Sequence, residues 1–387
     1  MKKKIAILGS TGSIGKTLLK IINKNKKDFN IILLTANKNY KEILKQTKIF
    51  NVQNVIITDE YSYKKFLKIN KNKKIKIYNN FNQLKKIFKI KADYIMSSIV
   101  GIEGLKPTLN VIEHTKTIAV ANKESIICGW NLIKKKLKKF NTEFIPVDSE
   151  HFSIWYALKN FQSENIYEIT LTASGGPLLK VPYSKFNKLK INQVIKHPNW
   201  NMGRKISVDS STLMNKVFEV IEAKNIFDIP LHKLKILIHP KSYIHAVVCF
   251  NNGMIKIIAH NTTMEIPIFN SIYGQKKISP ELNNLNIKKL NNLSLSRVNL
   301  KKFPLVNILK EIPKKNTLFE TVIVSANDEL VKLYLNKKIK YQEISKKIIK
   351  LIKFKEFQKL KKIEANKVTA IEKIHKYVRL KINSKSV

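Results

Sequence analysis

The chain has 387 residues, more than a single hydrophobic core usually holds, so two or three domains are expected. Its 44% hydrophobic and 9% aromatic content suffices for packed cores and excludes a disordered chain; the lack of any run of about 18 uncharged apolar residues excludes a transmembrane helix. Lys+Arg 73 against Asp+Glu 27 gives a net charge of +46, yet only Arg204, Arg297 and Arg379 are arginines and the lysines scatter along the chain. A nucleic-acid surface clusters its basic residues and uses the arginine fork, so the charge reads as solvated lysine faces, with no nucleic-acid and no membrane partner. The field should still attract anions weakly, and would help steer a substrate that carries a phosphate.

The basic start MKKK runs straight into a strand-and-turn pattern whose apolar run is broken by glycines after five residues, so no signal peptide is expected. Residues 1–147 alternate the apolar runs KIAIL, NIILLTA, NVIIT, YIMSSIV and KTIAVAN with lysine-rich amphipathic segments. Continuous rather than alternating apolar strands fit a parallel sheet covered on both faces, here an N-terminal Rossmann-like sheet. Residues 148–275 hold most of the histidines, the dense polar motifs and two long strands, LKILIHP and IHAVVCF, and read as an α+β catalytic domain. Residues 276–303, rich in Asn, Lys, Leu and Ser, read as a linker. From 304 to 387 apolar residues recur at i, i+3 and i+4, as in TLFETVIVSANDELVKLYLNKK, which predicts a C-terminal α-helical domain. The fold class is thus α/β overall. Cys128 and Cys249 sit in apolar segments with no metal spacing and read as buried thiols of a reducing, cytoplasmic compartment.

The first motif is Gly9-Ser10-Thr11-Gly12-Ser13-Ile14-Gly15, between the first strand and an apolar-periodic helix. Its glycines let the backbone approach a pyrophosphate at a helix N-terminus, although the spacing is GxxGxxG rather than GxGxxG, and a plain tight turn is the alternative. After the second strand come Asn37-Lys38-Asn39, with no acid before Glu42. An NAD site places a carboxylate there for the ribose, so its absence, with Lys38 in place, favours NADPH. Asp148-Ser149-Glu150 reads as an extended segment whose i and i+2 carboxylates share a side and can chelate a hard divalent cation; a solvated turn is the alternative. Asp209 to Ser211 supplies candidate helix N-caps. On the helix that follows, Asn215, Lys216 and Glu219 share a face, either as a site or as an ordinary surface ion pair. Thr172–Pro177 offers a serine and two glycines to an anion. The string from His197 through Trp200 to Gly203, within a flap near 194–205, reads as a mobile cover over a ligand.

These strings, with Ala121–Ser125 (ANKES), Pro146–His151 (PVDSEH) and Ile238–His245 (IHPKSYIH), occur in one order that resembles the family of 1-deoxy-D-xylulose 5-phosphate reductoisomerases across essentially the whole chain. The resemblance implies NADPH- and divalent-metal-dependent rearrangement and reduction of 1-deoxy-D-xylulose 5-phosphate to 2-C-methyl-D-erythritol 4-phosphate, in the non-mevalonate route to isopentenyl diphosphate. It implies that Thr11, Gly12, Ser13 and Ile14 hold the cofactor phosphates. Asn37, Lys38 and Asn39 would surround the extra phosphate of NADPH, and Asn122, Glu124 and Gly203 would also meet the cofactor. Asp148, Glu150 and Glu219 would ligate Mg²⁺ or Mn²⁺, with Ser149 and Lys123 on the substrate. Ser174, Ser210, Asn215 and Lys216 would bind the substrate phosphate, and His197 and Trp200 would close over it. A homodimer is implied as well.

Two strings depart from the family. Its Met-Arg-x-Pro reads Met264-Glu265-Ile266-Pro267, inverting a charge, and its Asn-Ala-Ala-Asn-Glu reads Val324-Ser325-Ala326-Asn327-Asp328. An ordinary dehydrogenase would use the glycine turn but leave the acidic pair, the serines and the tryptophan cover without a purpose.

Overall fold

The computed structural model describes residues 2–159, 165–200, 202–274 and 286–384. Residues 276–285 of the expected linker and Asn201 of the expected flap lie outside them. The described residues form two compact units.

The first unit contains residues 2–125, 132–148 and 264–274. Its strands are β1 (Lys3–Leu8), β2 (Phe29–Ala36), β3 (Asn54–Ile57), β4 (Lys76–Tyr78), β5 (Ala92–Ser97), β6 (Thr115–Val120) and β7 (Glu143–Pro146). All pair in parallel in the order β4-β3-β2-β1-β5-β6-β7. The order reverses between β1 and β5, and ligands of such sheets bind beyond the strand ends at that reversal. The glycine turn lies there. The central strands are buried over most of their length, Ile5, Ala6, Ile7 and Leu8 being 0% exposed, as a sheet covered on both faces requires.

The helix Glu265–Tyr273 was expected with the middle domain but belongs to this unit, packed on helix Ser13–Lys24. Lys3 Nζ donates to the Ile272 carbonyl at 2.7 Å, and Tyr94 and Ser271 share a hydroxyl hydrogen bond of 2.8 Å. The inverted charge at Glu265 is accounted for by an ion pair with Lys20.

The second unit contains residues 126–131, 149–159, 165–200, 202–263 and 286–384. Its strands β8 (Ile166–Ala173), β9 (Leu234–Ile238), β10 (Ile244–Phe250), β11 (Ile255–Ala259) and β12 (Ser296–Arg297) form a sheet ordered β11-β10-β8-β9-β12. β8 and β9 run parallel and the other pairs antiparallel. The expected linker therefore supplies an edge strand, β12. Helices Ser149–Ala157 and Met214–Phe227 share one core with this sheet through Ile154, Ile169, Leu171, Val220, Ala223 and Val248. Beyond it, helix Leu318–Leu335 is buried along most of its length and packs against Tyr341–Ile352 and Val368–Asn383. Its start is fixed by a capping box, Thr317 and Glu320 bonding reciprocally. Among the described residues no helix is long and apolar enough to cross a membrane.

Candidate active site

The glycine turn is built by close backbone approach. Gly9 has φ +80, and a Cβ on it would stand 2.9 Å from the Ser98 carbonyl oxygen. A Cβ on Gly15 would stand 2.6 Å from both the Gly9 carbonyl and the Ser10 Cα, so only glycine lets the first helical turn cross the end of β1. Ser10 is locked by its N–H on the Thr35 carbonyl (2.9 Å) and its hydroxyl on Gln46 (2.7 Å). Thr11, Gly12, Ser13 and Ile14 are left at the surface, at the N-terminus of a helix with no acid in its first turn. The Gly12 N–H is taken by the Gly9 carbonyl (3.1 Å), and the remaining first-turn N–H groups with the helix dipole give this place the character of an anion cradle.

Asn37, Lys38 and Asn39 follow β2 and are exposed. Two of these side chains have structural duties: Asn37 donates to Thr58 Oγ1 (2.9 Å), and Asn39 caps helix Tyr40–Phe50 by accepting from the Glu42 N–H (3.2 Å). Asn122 caps helix Lys123–Phe140 through the Ser125 N–H (2.6 Å), while its amide donates to the carbonyls of Gly101 (2.7 Å) and Ile99. Glu124 is 6% exposed in the same first turn. Lys123 is 7% exposed and pairs with Asp148 at 2.9 Å.

Asp148 closes the first unit, and the next residue opens helix Ser149–Ala157. The extended segment expected here is thus a helix start: Glu150 stands in the first helical turn rather than two along a strand. The Ser149 hydroxyl donates to Glu150 Oε2 at 2.5 Å. Lys216 Nζ meets Glu150 Oε1 at 2.8 Å and also pairs with Glu219, to which Asn215 donates its amide. Carboxylate oxygens of Glu150 and Glu219 approach within 4.8 Å. Lys216 is 4% exposed and Glu219 1%, so this is no surface ion pair. Burial opposes the charge on Lys216, but the carboxylates of Glu150 and Glu219 outweigh it and raise its pKa above the ordinary lysine value.

Residues Asp209 to Ser211 are not N-caps. They end helix Arg204–Ser211, and the break falls at Leu213, whose φ of 58 is left-handed. That turn starts the next helix at Met214, with Ser210 on one side of it and Asn215 and Lys216 on the other. The Thr172–Pro177 loop reaches the same place: a Cβ on Gly176 would lie 2.6 Å from the Ser210 carbonyl oxygen. Ser174 Oγ lies 2.9 Å from His197 Nε2 and accepts from the Gly176 N–H at 3.0 Å. His197 Nδ1 accepts from the N–H groups of Asn199 (3.2 Å) and Trp200 (3.0 Å), which assigns the ring proton to Nε2 and leaves the Ser174 hydroxyl proton for another acceptor. Burial lowers the His197 pKa to about 4, so the ring is neutral near pH 7. Asn199 anchors the flap segment on the Pro240 carbonyl (2.6 Å) and Ser242 (2.9 Å), and the Trp200 ring meets His245 edge-on with centroids 6.3 Å apart. Gly203 is exposed, and a methyl placed on it would have nothing within 4 Å.

Sequence reasoning did not single out His151 or Glu222. His151 is fully buried; Nε2 lies 2.8 Å from the Glu219 carbonyl oxygen and Nδ1 3.8 Å from Glu222. His151 thus ties the helix bearing Glu150 to the helix bearing Glu219. Its place at the end of the Asp-Ser-Glu-His string was the available signal. The second family departure is also accounted for: Asp328 pairs with Lys205 (2.8 Å), and Asn327 donates to Asp209 (2.8 Å).

A family model described as 1-deoxy-D-xylulose 5-phosphate reductoisomerase matches residues 5–129, and two C-terminal-domain models of the same enzyme match residues 144–227 and 260–381. The chain is 55% identical to 1-deoxy-D-xylulose 5-phosphate reductoisomerase of Pelagibacter ubique over 100% of both chains. It is 35% identical to that of a Sulfurihydrogenibium species over 93% of both. A crystal structure of the reductoisomerase with NADPH, fosmidomycin and magnesium superposes with a TM-score of 0.91 at 26% identity, covering 99% of this chain and 98% of that one. The Zymomonas mobilis enzyme with NADPH gives 0.88 at 28% identity, with both chains covered in full. The chain belongs to the 1-deoxy-D-xylulose 5-phosphate reductoisomerase family.

Proposed function

We propose that this chain converts 1-deoxy-D-xylulose 5-phosphate to 2-C-methyl-D-erythritol 4-phosphate with NADPH and Mg²⁺ or Mn²⁺, and that its named residues divide the work as follows. The observation that carries the reading is the buried cluster in which Lys216 is held between Glu150 and Glu219, with Ser149 and Asn215 on the same carboxylates.

The cluster fits a hard cation: Glu150 and Glu219 offer gathered carboxylate oxygens, with no thiolate in the group. Glu150 and Glu219 are two ligands, and Asp148, two residues before Glu150 in the chain, is the third. A divalent ion there supplies Lewis-acid polarisation of the substrate's carbonyl and hydroxyl oxygens. Ser149 orients Glu150 and lies beside the substrate. Lys123, held by Asp148, meets the substrate's polar backbone. Lys216, Asn215, Ser174 and Ser210 bind the phosphate, Ser174 with the hydroxyl proton that His197 leaves to it. Trp200 and His197 cover the substrate and exclude water while the skeleton rearranges.

In the first unit, Thr11, Gly12, Ser13 and Ile14 hold the pyrophosphate at the helix start. Lys38 meets the extra phosphate of NADPH, flanked by Asn37 and Asn39, and Asn122, Glu124 and Gly203 complete the cofactor contacts. The bound dinucleotide supplies hydride. The enzyme works as a cytoplasmic homodimer without a nucleic-acid partner; light scattering tests the dimer. The reaction is tested by following NADPH oxidation with 1-deoxy-D-xylulose 5-phosphate. Turnover should vanish with chelator and return with added Mg²⁺. Metal-independent turnover, or none with this substrate, would sink the assignment.

A further inference from the structure

The stretch whose composition reads as a linker supplies none of the site residues assigned above, yet one of its side chains grips the loop that carries Ser174. Lys302 Nζ donates to the Leu179 carbonyl at 2.6 Å and to the Val181 carbonyl at 2.7 Å. The same ammonium lies over the rings of Phe186 and Phe303, 5.7 and 5.8 Å from their centroids. Its own backbone is held by Asn299, whose Oδ1 accepts from the Lys301 and Lys302 N–H groups at 3.1 Å each and whose carbonyl accepts from the Phe303 N–H at 2.9 Å.

Lys302 is half-buried, and burial lowers its pKa from the ordinary lysine value. Among the described residues no carboxylate pairs with it, so carbonyl oxygens and ring faces replace the water it has lost. Lys302 is thus no solvated surface lysine: its ammonium is committed to the carbonyls of one turn.

That turn decides how Ser174 is presented. Gly175 and Gly176 have φ of +81 and +67, and two glycines in succession hold no shape of their own. Their shape is imposed from both sides. On one side Leu179 closes over Gly175, where a Cβ would stand 2.6 Å from Leu179 Cδ1, and the Leu179 N–H reaches the Gly176 carbonyl at 3.3 Å. On the other is the Ser210 carbonyl, against which Gly176 is pressed. Leu179 and Phe303 also share one apolar cluster with Ala173, the residue before Ser174, and with Leu213, the break between Ser210 and Asn215. Lys302 fixes the Leu179 carbonyl and, through Val181, the start of the segment that runs to His197.

We propose that Lys302 is a positioning residue for phosphate binding: its bonds to Leu179 and Val181 keep Leu179 seated on Gly175, and this holds Ser174 and the glycine backbone ready for the substrate phosphate. The identity of the substrate rests on the reductoisomerase reading; the part of Lys302 in presenting the loop to a phosphate does not.

The test begins with Lys302→Met, which removes both donors and keeps an apolar stem between Phe186 and Phe303. KM for 1-deoxy-D-xylulose 5-phosphate should rise by about 5- to 30-fold, the cost of re-ordering one freed loop residue on binding. kcat should stay within about 2-fold, since the loss is one of uniform binding. Lys302→Arg keeps two donors and a planar face for the rings, and should recover most of the KM. Leu179→Ala should raise KM likewise, and the double variant should fall well short of the product of the two, because both act through one contact. Leu179→Ala also takes the place of Lys302→Met should that variant not fold. Inorganic phosphate, titrated by ³¹P NMR, reads the loop without turnover: binding lost in Lys216→Met marks the site, and Lys302→Met should weaken it by a similar factor. If the wild-type chain does not turn over the substrate, the reductoisomerase reading fails and the phosphate titration alone judges Lys302; unaltered phosphate affinity, or no titratable site, then counts against it. With normal wild-type turnover, an unchanged KM, a fall confined to kcat, no recovery in Lys302→Arg, or effects that multiply in full in the double variant would overturn the proposal.

Discussion

The glycine turn of the first unit and the carboxylate–lysine cluster of the second handle charge in opposite ways. The turn is made of backbone: Thr11 to Ile14 stay at the surface, and the charge that matters is the fractional one of a helix start. The cluster is made of side chains, with Lys216, Glu219 and His151 almost wholly out of water. A backbone cradle keeps its shape with or without a ligand. A buried set of ionised groups keeps its shape only while its charges are balanced. The first unit should therefore tolerate an empty site, and the second should depend on what fills it.

The sharpest way to break this contrast is Glu219→Gln, which keeps the shape and removes one buried charge. Turnover should fall by roughly 10²- to 10³-fold, the scale of losing one preorganised electrostatic group. NADPH affinity, read by fluorescence titration, should barely move. Loss of both together would mean that the two regions are not separable.

Lys216→Met removes the ammonium between two buried carboxylates. Substrate affinity should drop by about 10- to 100-fold for one charge-assisted contact. The thermal midpoint should fall as well and recover with added Mg²⁺, because the cation takes over the balancing. A midpoint indifferent to Mg²⁺ would remove the carboxylates from the metal site.

Gly15→Ala attacks the other region. Its methyl would press into the Gly9 and Ser10 backbone at 2.6 Å, which cannot swing aside. Overpacking of about 1–3 kcal/mol should appear as a lower thermal midpoint, and the displaced Gly9–Ser10 backbone should weaken NADPH binding, with metal affinity unaltered. An alanine that binds NADPH normally would show that the close approach is not needed.

The smallest expected effect is the pH response of His197. Burial holds its pKa at about 4, below the ordinary value near 6.5. On acidification the unfolded chain takes the proton first. The stabilisation from the neutral ring is therefore complete above about pH 6.5 and is lost as pH falls toward 4. Urea melts at pH 7, 5.5 and 4.5 should show the gap between the protein and His197→Gln narrowing; parallel curves would leave His197 without its buried neutral state.

The same contrast explains what could be read in advance. Glycine positions at the end of β1 answer to local sterics, and sequence spacing reports them directly. Strands β1, β2 and β5 announce themselves as continuous apolar runs, whereas β4 is three residues with a lysine and β7 ends in proline, too short to stand out. In the second unit the polar strings were visible but their geometry was not. Asp148 to Glu150 looked extended although Asp148, a capping residue type directly before Ser149, and Glu150 in the first turn both mark a helix start. Asp209 to Ser211 looked like caps because serine and aspartate usually cap, while the true break sits at Leu213, a residue with no turn preference. That Lys216 and Glu219 are buried depends on Glu150 and His151, some seventy positions earlier, and no local pattern carries that.

The ion pair between Lys20 and Glu265 bears on how this chain could be engineered. The Met-Arg-x-Pro pattern that the sequence departs from has arginine at that place, and a design toward that pattern would restore it. Here Glu265→Arg would set two cations side by side, so a substitution that suits that pattern should be neutral or costly in this background. Lys20 is 61% exposed and can swing into water, which keeps the penalty within about 1 kcal/mol. Reversing both members together, Lys20→Glu with Glu265→Arg, should recover it, so the family's preferred residue is reachable here by a paired change more readily than by a single one.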